Sequence, residues 1–267
     1  MNCGFGRSSE KVLICLLSVF VAVSLLLCTT AEADIYDDFN SLSIDTSKWK
    51  ISDPGGLFSQ PGDGQLHFYS DNSAGVNPPP GGSLTSTTSF TAGFFSMDFN
   101  NFFSSNTSPG NQGLGSFAAL GLGTRTTTYV RMLRGRVVSK QYGYFEANYF
   151  DGTDLHVWYV FTDVTSGQLG LCYDGSAVSF FYNDGLDGWQ RLDTTGPDTN
   201  GAIVTVTPGW SSPPPLFVSG NPGASGITHF AVDKVEYTPV PEPSTMILLG
   251  SGLIGLASYG RKKFFKK

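Results

Sequence analysis

Apolar and polar side chains alternate along many short stretches of the chain between residues 34 and 240. Alternation with a period of two predicts β-strands that each bury one face, and helical periodicity is almost absent. Pairs such as Asp151-Gly152 and Asp174-Gly175 predict turns between the stretches, so the body should be all-β. The alternating apolar sets are Phe95, Met97 and Phe99; Ala118, Leu120 and Leu122; Phe145, Ala147 and Tyr149; Leu155, Val157, Tyr159 and Phe161; Val178, Phe180 and Tyr182; Val204 and Val206; and Val235 and Tyr237.

Many short strands joined by glycine-rich turns are typical of two antiparallel sheets packed as a sandwich, and above all of a jelly roll. The stretch is long enough for one hydrophobic core, so we assign residues 34–239 to a single domain. An immunoglobulin-type sandwich is the alternative, but the body lacks the cysteine pair and the tyrosine corner of that fold. Residues 72–82 and 209–226 are rich in proline and glycine, and we expect irregular loops there.

The first 33 residues have the pattern of a secretory signal peptide. Arg7 and Lys11 precede an apolar block, and Ala31 and Ala33 form a small-x-small cleavage site before Asp34. A retained membrane helix is the alternative. Three of the four cysteines lie in this segment, so the mature body can form no internal disulfide.

The last segment, residues 240–267, begins with Pro241, Glu242 and Pro243, which break any preceding strand. An apolar run punctuated by small residues extends from Met246 to Tyr259, and a basic cluster follows it. The run is shorter than the roughly 20 residues that span a bilayer comfortably, and the basic cluster favours the cytoplasmic side. We therefore predict a short transmembrane helix that holds the protein temporarily.

These three features, in this order, closely resemble the PEP-CTERM sorting signal. The resemblance implies an exosortase-type processing enzyme as a partner and a transient stay in the inner membrane. It also implies export to the cell surface or extracellular matrix of a Gram-negative-type bacterium. An ordinary C-terminal anchor helix would explain the apolar run and the basic end but not the Pro-Glu-Pro motif.

The charge of the body narrows the choice of partners. Between residues 34 and 240 there are nine Lys and Arg residues and nineteen Asp and Glu residues. This negative balance repels nucleic acid and anionic lipid, so we exclude nucleic acid as a partner. Four arginines lie close together in the sequence, Arg125, Arg131, Arg134 and Arg136. They either bind an acidic polysaccharide or protect a solvated strand edge from pairing with another chain.

Both ends of the body carry short family-like motifs. The opening reads Asp37-Asp38-Phe39-Asn40, then Lys48-Trp49 and Gly62-Asp63-Gly64-Gln65-Leu66, and the closing strand runs from Phe230 to Tyr237. These segments resemble concanavalin A-like jelly rolls, which include laminin-G-like modules and family 16 glycoside hydrolases. The resemblance implies a structural Ca²⁺ held by the closing-strand aspartate, Asp233, and by a main-chain carbonyl at Gly64.

The hydrolase side of this resemblance requires a Glu-x-Asp-x-x-Glu strand, because two carboxyl groups about 5 Å apart must flank the glycosidic bond. The segment from Tyr142 to Ala147 resembles the strand before the catalytic one, but the required pattern does not occur. Glu146 and Glu236 are the only glutamates of the body, and its three histidines stand apart from one another. We therefore predict a non-catalytic protein, with an atypical glycoside hydrolase as the alternative.

Two neighbouring strand-like stretches offer a surface for sugars. If they pair, the polar and aromatic side chains should line one groove suited to a saccharide, and extracellular polysaccharide becomes the expected ligand. In the alternative, the tryptophan covers a core, and the protein is a structural matrix component without a specific ligand. The predicted groove residues are Tyr144, Glu146, Asn148, His156 and Trp158.

Overall fold

The computed structural model describes residues 33–73, 81–105, 115–124, 126–136, 143–192, 205–223 and 226–239. All regular elements within these residues are β-strands, and they form two antiparallel sheets packed as a sandwich. The predicted all-β sandwich is therefore confirmed. The predicted signal segment up to Ala31 and the motif Pro241, Glu242 and Pro243 lie outside the described residues.

Sheet A contains nine strands. Its order is β13-β12-β11-β6-β16-β4-β3, with β1 beside β16 and β14 beside β12. The long last strand pairs with β6 on one side and with β4 and β1 on the other. The strands are β1 (Asp34–Asp37), β3 (Phe58–Ser59), β4 (Leu66–Asn72), β6 (Gly93–Ser104), β11 (Gly167–Tyr173), β12 (Val178–Asn183), β13 (Gln190–Arg191), β14 (Thr205–Val206) and β16 (Gly226–Thr238).

Sheet B contains seven strands in the order β10-β9-β8-β7-β15-β5-β2. Its first four strands follow each other as hairpin neighbours in space, whereas β15 inserts between β7 and β5 from a distant part of the chain. The strands are β2 (Trp49–Ser52), β5 (Gly82–Ser89), β7 (Ser116–Gly123), β8 (Tyr129–Arg136), β9 (Gly143–Phe150), β10 (Leu155–Thr162) and β15 (Pro215–Pro222).

The main hydrophobic core lies between the two inner faces. Its alternating members in β6, Phe95, Met97 and Phe99, are at most 1% exposed, as the sequence pattern predicts. Across the sandwich they meet apolar side chains of sheet B such as Met132 and Phe145. Full burial of each such side chain stabilises the fold by roughly 1.5–3 kcal/mol. One continuous core therefore serves the whole body.

The opening motif closes one end of this core. The carboxylate of Asp37 accepts hydrogen bonds from the indole Nε1 of Trp49 at 2.6 Å and from the main-chain nitrogen of Phe39 at 3.0 Å. Phe39 adopts a positive φ of 50°, and its buried ring stacks on Trp49 with the ring centres 6.4 Å apart. The separated Asp37-Asp38-Phe39-Asn40 and Lys48-Trp49 motifs are thus two halves of one hydrogen-bonded cluster.

Aspartates cap the turns, as their turn-like sequences predict. The Asp151 carboxylate accepts hydrogen bonds from the main-chain nitrogens of Thr153 and Asp154, each at 2.8 Å. These donors, that of Asp154 most strongly, lower the pKa of Asp151 to about 2. Asp174 accepts equivalent bonds from Ser176 and Ala177. These carboxylates therefore have a structural role in fixing hairpin turns.

Strand β10 shows the clearest departure from the alternation rule. Its more apolar set includes Leu155, 45% exposed, and Phe161, 50% exposed, and this set faces away from the main core. The other set, including Trp158 and Val160, packs against that core. The prediction that the set beginning at Leu155 is buried in the main core is wrong, because the outer face of sheet B has an apolar cluster of its own, against which Tyr159 of this set packs.

The prediction of an irregular loop over residues 209–226 is also wrong. Pro215–Pro222 forms β15, which pairs with β5 and β7. Its two prolines stand at the ends of the strand, where a missing N–H group costs no bond in the middle of the ladder. Residues 74–80, which form most of the other predicted loop, lie outside the described residues.

The arginines of β8 do not blunt a sheet edge, because β8 lies between β7 and β9. Arg134 is 4% exposed, donates from Nε to the carbonyl of Val164 at 2.8 Å, and lies over the Phe102 ring. Burial lowers its pKa to about 10. Arg136 donates to the carbonyl of Ser104 at 2.7 Å. Both side chains therefore tie sheet B to sheet A rather than face solvent.

No helix in the described part of the chain is long and apolar enough to cross a membrane. The predicted sorting segment, residues 240–267, lies outside that part.

Candidate functional site

The register of β9 and β10 divides the predicted sugar groove between two faces. Trp158 stands opposite Ala147, and Tyr159 stands opposite Glu146. Directly opposed residues of an antiparallel pair share a face. Tyr144, Glu146 and Asn148 therefore lie on the outer face of sheet B, whereas His156 and Trp158 lie on its inner face. The prediction of one groove lined by all five is wrong, because the register between the strands is offset by one residue from the one assumed.

The two inner-face residues belong to a column of rings. Tyr149, His156 and Trp158 follow one another with ring centres 5.6 Å and 6.2 Å apart. His156 Nε2 also lies 3.2 Å from the carboxylate of Asp151 in the neighbouring turn. Trp158 packs against the main core, and its buried Nε1 has no hydrogen-bond partner among the described residues. The alternative expectation, a tryptophan that covers a core, describes its position.

On the outer face of sheet B, polar groups form a line across β8 and β9. Arg131 Nε donates to Asn148 Oδ1 at 2.7 Å, and Asn148 Nδ2 donates to Glu146 Oε1 at 2.6 Å. The Arg131 guanidinium lies over the rings of Phe117, at 4.4 Å, and Tyr129, at 5.5 Å. Asn148 is fully buried, so the line is fixed in one geometry.

Aromatic and aliphatic side chains enclose this polar line. Phe117, Leu133 and Tyr144 are at most 7% exposed and form a small second cluster with Tyr159 packed against it. A Cβ atom at Gly135 would lie 2.7 Å from the Tyr144 ring, so this ring lies close against the backbone of the next strand. The face is therefore a packed floor of rings around Glu146.

The enclosure perturbs the titration of this face. Burial raises the pKa of Glu146, and the hydrogen bond from Asn148 and the charge of Arg131 oppose that rise. Burial likewise raises the pKa of the Tyr144 hydroxyl. Glu146 is the only Asp or Glu in the seven strands of sheet B. No second carboxylate on these strands accompanies it.

The outer face of sheet A carries a different set of groups. Phe94, Phe181 and Trp189 converge over Gly170, with ring centres 5.7 Å apart for Phe94 and Phe181 and 5.1 Å apart for Phe94 and Trp189. We call these three rings the Trp189 platform. Trp189 is 40% exposed, in contrast to the enclosed rings of sheet B. The sequence interpretation missed this platform, although Trp189 follows a polar, glycine-rich turn that favours exposure.

A polar band follows the platform along the same face. Gln168 donates to Asp98 at 2.7 Å and accepts from Asn183 at 2.8 Å. Lys234 contacts Glu236 at 2.8 Å and Asp98 at 3.8 Å. Burial raises the pKa of Asp98, while the bond from Gln168 and the charge of Lys234 oppose the rise.

The residues expected to hold calcium are close together in this face. Asp233 Oδ1 accepts a hydrogen bond from Gln65, the residue after Gly64, at 2.6 Å, and its Oδ2 accepts one from Asn100. Carboxylate, amide and carbonyl oxygens are the ligands that Ca²⁺ prefers, so the residue types fit in part. An ion would require both amides to turn their oxygen atoms towards it. Among the described residues, no three His, Cys, Asp and Glu side chains are placed to share a metal.

Solved structures with a similar fold include carbohydrate-related proteins. A variant of the GH43 protein BlXynB from Bacillus licheniformis has a TM-score of 0.55 at 12% identity, covering 76% of this chain and 39% of that one. The β-glucanase of Bacillus licheniformis has a TM-score of 0.50 at 12% identity, covering 79% and 100%. An immunostimulatory antigen and pseudo-β-1,3-glucanase of Mycobacterium tuberculosis has a TM-score of 0.50 at 13% identity, covering 77% and 98%.

These identities support the likeness of the fold alone, which agrees with a concanavalin A-like body. The chain spans only 39% of the length of the GH43 protein. No curated protein matches the sequence. The model of the PEP-CTERM protein-sorting motif matches residues 239–262, the segment that begins just before Pro241. The chain therefore carries a PEP-CTERM sorting motif, which indicates an exported protein that an exosortase processes at the membrane and sorts to the cell surface.

Proposed function

We propose that the exported body binds glycan at the cell surface or in the extracellular matrix and does not cleave it. The outer face of sheet B is the proposed binding face. On this face the half-buried Tyr159 ring offers a surface on which a sugar ring stacks, and the half-buried Glu146 carboxylate accepts hydrogen bonds from sugar hydroxyls. The buried Tyr144 and Asn148 hold these two groups in place. This proposal replaces the five-residue groove by Tyr144, Glu146 and Asn148 together with Tyr159.

The observation that best supports this proposal is the row of hydrogen bonds from Arg131 through Asn148 to Glu146. Its hydrogen bonds of 2.7 Å and 2.6 Å hold the carboxylate in place beside the rings of Tyr144 and Tyr159, whose centres are 6.4 Å apart. A preorganised polar group beside aromatic rings loses little freedom when a sugar binds. This arrangement supports recognition of a glycan better than it supports chemistry.

The same face supports the proposal that the protein does not act as a hydrolase. Glycoside hydrolysis by the usual route needs two carboxyl groups flanking the bond, and the strands of sheet B supply Glu146 alone. One similar structure is itself called a pseudo-β-1,3-glucanase. The test is incubation of the purified protein with soluble β-glucans and assay of new reducing ends, with none expected. Turnover that Glu146→Gln abolishes would establish the atypical hydrolase instead.

Binding is tested with the full chain in a detergent that has no sugar headgroup, titrated against a panel of glycans. We expect saturable binding that Tyr159→Ala weakens by about tenfold, as expected for loss of a central aromatic contact. Trp158→Phe should leave the affinity unchanged, because Trp158 faces the core. The matched control is Leu42→Ala, at an 83% exposed position away from the sheets. Absence of binding to every glycan would favour a structural matrix protein without a ligand.

Structural calcium stays part of the proposal, with Asp233 and the Gly64 carbonyl as ligands. Calcium that binds only the native state raises the melting temperature in a concentration-dependent way. We expect this rise in the full chain, reversal by a chelator, and loss of the response in Asp233→Asn. An unchanged melting temperature in excess calcium would exclude the site.

A further inference from the structure

We propose that the outer face of sheet A is a second glycan-binding face, which takes a polysaccharide strand without anionic groups. Because the two outer faces lie on opposite sides of the sandwich, one molecule would link two strands. The linking rests on the proposed function of sheet B, whereas binding at sheet A does not.

The first support is the construction of the Trp189 platform. A Cβ atom at Gly170 would lie 2.7 Å from the Trp189 ring and 2.9 Å from the Phe94 ring. Only a glycine at this position lets both rings lie close against the strand. Their centres are 5.1 Å apart, and Trp189 keeps 40% of its surface exposed. The rings are fixed by their contacts and still accessible, which suits stacking on a sugar ring.

The second support is the polar row beside the platform. Gln168 is two residues from Gly170 on the same face, or about 7 Å along the strand. Its amide joins Asp98 and Asn183 through bonds of 2.7 Å and 2.8 Å. A sugar stacked on the platform would therefore have fixed amide and carboxylate groups within reach of its hydroxyls.

The third support is a further group of rings on the same face. Phe103 and His229 stack with centres 5.1 Å apart, and Tyr69 lies opposite His229 on the next strand. Phe103 is 46% exposed and Tyr69 is 53% exposed. A bulge at Asn101, with φ of 54°, turns Phe103 outward while Phe102 stays in the core. The bulge thus keeps rings on the outer face at both ends of β6.

The spacing of the two ring groups suits an extended ligand. Phe94 and Phe103 are nine residues apart in β6, which corresponds to about 30 Å along a strand. The polar band lies between them. Rings at both ends with hydrogen-bonding groups between them form a track for several sugar units of one strand, rather than a pocket for a single sugar.

The charge of the band selects the occupant. Apart from Asp233, the proposed calcium ligand, the band carries the carboxylates of Asp98 and Glu236 beside the ammonium group of Lys234. This excess of negative charge repels uronate, sulfate and phosphate groups. Sugars that are neutral or carry amino groups can stack on the aromatic rings and are not repelled by the carboxylates. The proposed ligand is therefore a polysaccharide built from such sugars.

The test uses the full chain in a detergent without a sugar headgroup, with laminarin as neutral probe, chitosan as amino-sugar probe and alginate as anionic probe. We expect Trp189→Ala to weaken binding of laminarin or chitosan by about tenfold at the sheet A site. Phe94→Ala is the second variant, and each must keep a wild-type melting temperature within a few degrees. Tyr69→Ala should weaken binding of long oligosaccharides but not of short ones. Leu42→Ala is again the control.

Linking is measured by light scattering of the protein mixed with the polysaccharide. The wild type should cross-link it, whereas Trp189→Ala and Tyr159→Ala should each still bind and no longer cross-link. Unchanged binding stoichiometry and affinity in both Trp189→Ala and Phe94→Ala would overturn the sheet A site. Alginate binding as tight as laminarin binding would overturn the assigned ligand class. If Tyr159→Ala alone has no effect, the proposed function of sheet B fails while the sheet A site stands.

Discussion

The ring cluster around Glu146 on the outer face of sheet B and the Trp189 platform on the outer face of sheet A contain similar groups and differ in their exposure. On sheet B, Phe117, Leu133 and Tyr144 are at most 7% exposed, and a buried asparagine fixes their polar neighbours. On sheet A, Trp189 and Tyr69 keep 40% and 53% of their surface exposed. In both places a ring lies close against a glycine of the neighbouring strand. The same contact between a ring and a glycine therefore occurs in the packed ring cluster around Glu146 on sheet B and in the open Trp189 platform on sheet A.

The two faces also handle charge differently. Sheet B places a single carboxylate, Glu146, in an enclosed setting where burial raises its pKa. Sheet A distributes three carboxylates and Lys234 along a more accessible band. Burial of a charged group carries a large desolvation free energy and holds the group in one geometry. A partly exposed charge has a smaller desolvation free energy and is screened by salt. Mutations of the enclosed residues on sheet B should therefore affect stability strongly, whereas mutations of the exposed rings on sheet A should affect stability little.

The largest stability effect is expected for Leu133→Ala on sheet B. Leu133 is 1% exposed in the small outer cluster, and truncation of a buried leucine costs about 2–5 kcal/mol. Urea unfolding of the full chain measures the loss. Leu186→Ala, at an 81% exposed position, is the matched control and should change stability by less than about 0.5 kcal/mol. Equal effects of the two substitutions would contradict the enclosure of the sheet B face.

A smaller loss is expected for Asn148→Ala. This change removes the bond from Arg131 and the bond to Glu146, and the loss of these hydrogen bonds at a fully buried side chain costs about 1–3 kcal/mol. The matched change on sheet A is Gln168→Ala, which breaks the bonds to Asp98 and Asn183 at a partly buried position. Water can hydrogen-bond to Asp98 and Asn183 in place of Gln168, so Gln168→Ala should lower the free energy of unfolding less than Asn148→Ala does. A larger loss for Gln168→Ala would reverse the comparison.

The sequence predicted the architecture better than the site, for a physical reason. In β6 the set Phe95, Met97 and Phe99 is apolar and the opposite face is mostly polar, so alternation identified the buried side. In β10 the more apolar set faces outward and the inner set contains the polar His156 and Thr162, so alternation indicated the wrong face. The groove depended on the relative register of β9 and β10, which the turn capped by Asp151 sets and which apolar alternation within each strand does not record.

The residues missed on sheet A illustrate the same limit. Phe94, Gly170 and Trp189 are far apart in sequence, and pairing of β6, β11 and β12 brings them together. Gly170 is interpretable only once its neighbours across the strands are known. By contrast, the motif from Asp37 to Trp49 lies within a short segment, and its cluster could be expected from the resemblance alone.

A modest and pH-dependent effect is expected for Glu146→Gln. Burial raises the pKa of Glu146 in the folded state, so the folded state binds the proton more tightly than the unfolded state. Stability should therefore fall as the pH rises from the usual glutamate range through the raised folded pKa. The Gln variant has no carboxyl group to ionise, so it does not lose stability in this way. The melting temperature of the variant should therefore rise relative to that of the wild type as the pH rises. A difference that is independent of pH would show that Glu146 is not enclosed.

The smallest effect is expected for Tyr69→Thr on sheet A. Threonine keeps a high β propensity, and surface substitutions usually change stability by less than about 0.5 kcal/mol. The matched change on sheet B is Tyr144→Thr, where the tyrosine is 7% exposed against 53% for Tyr69. The substitution is the same at both positions, so urea unfolding of the two variants compares the two faces directly. The free energy of unfolding should fall far more in Tyr144→Thr than in Tyr69→Thr. If the two losses in stability are equal, the Tyr69 ring is a packing element, and exposure no longer distinguishes the Tyr69 position from the Tyr144 position.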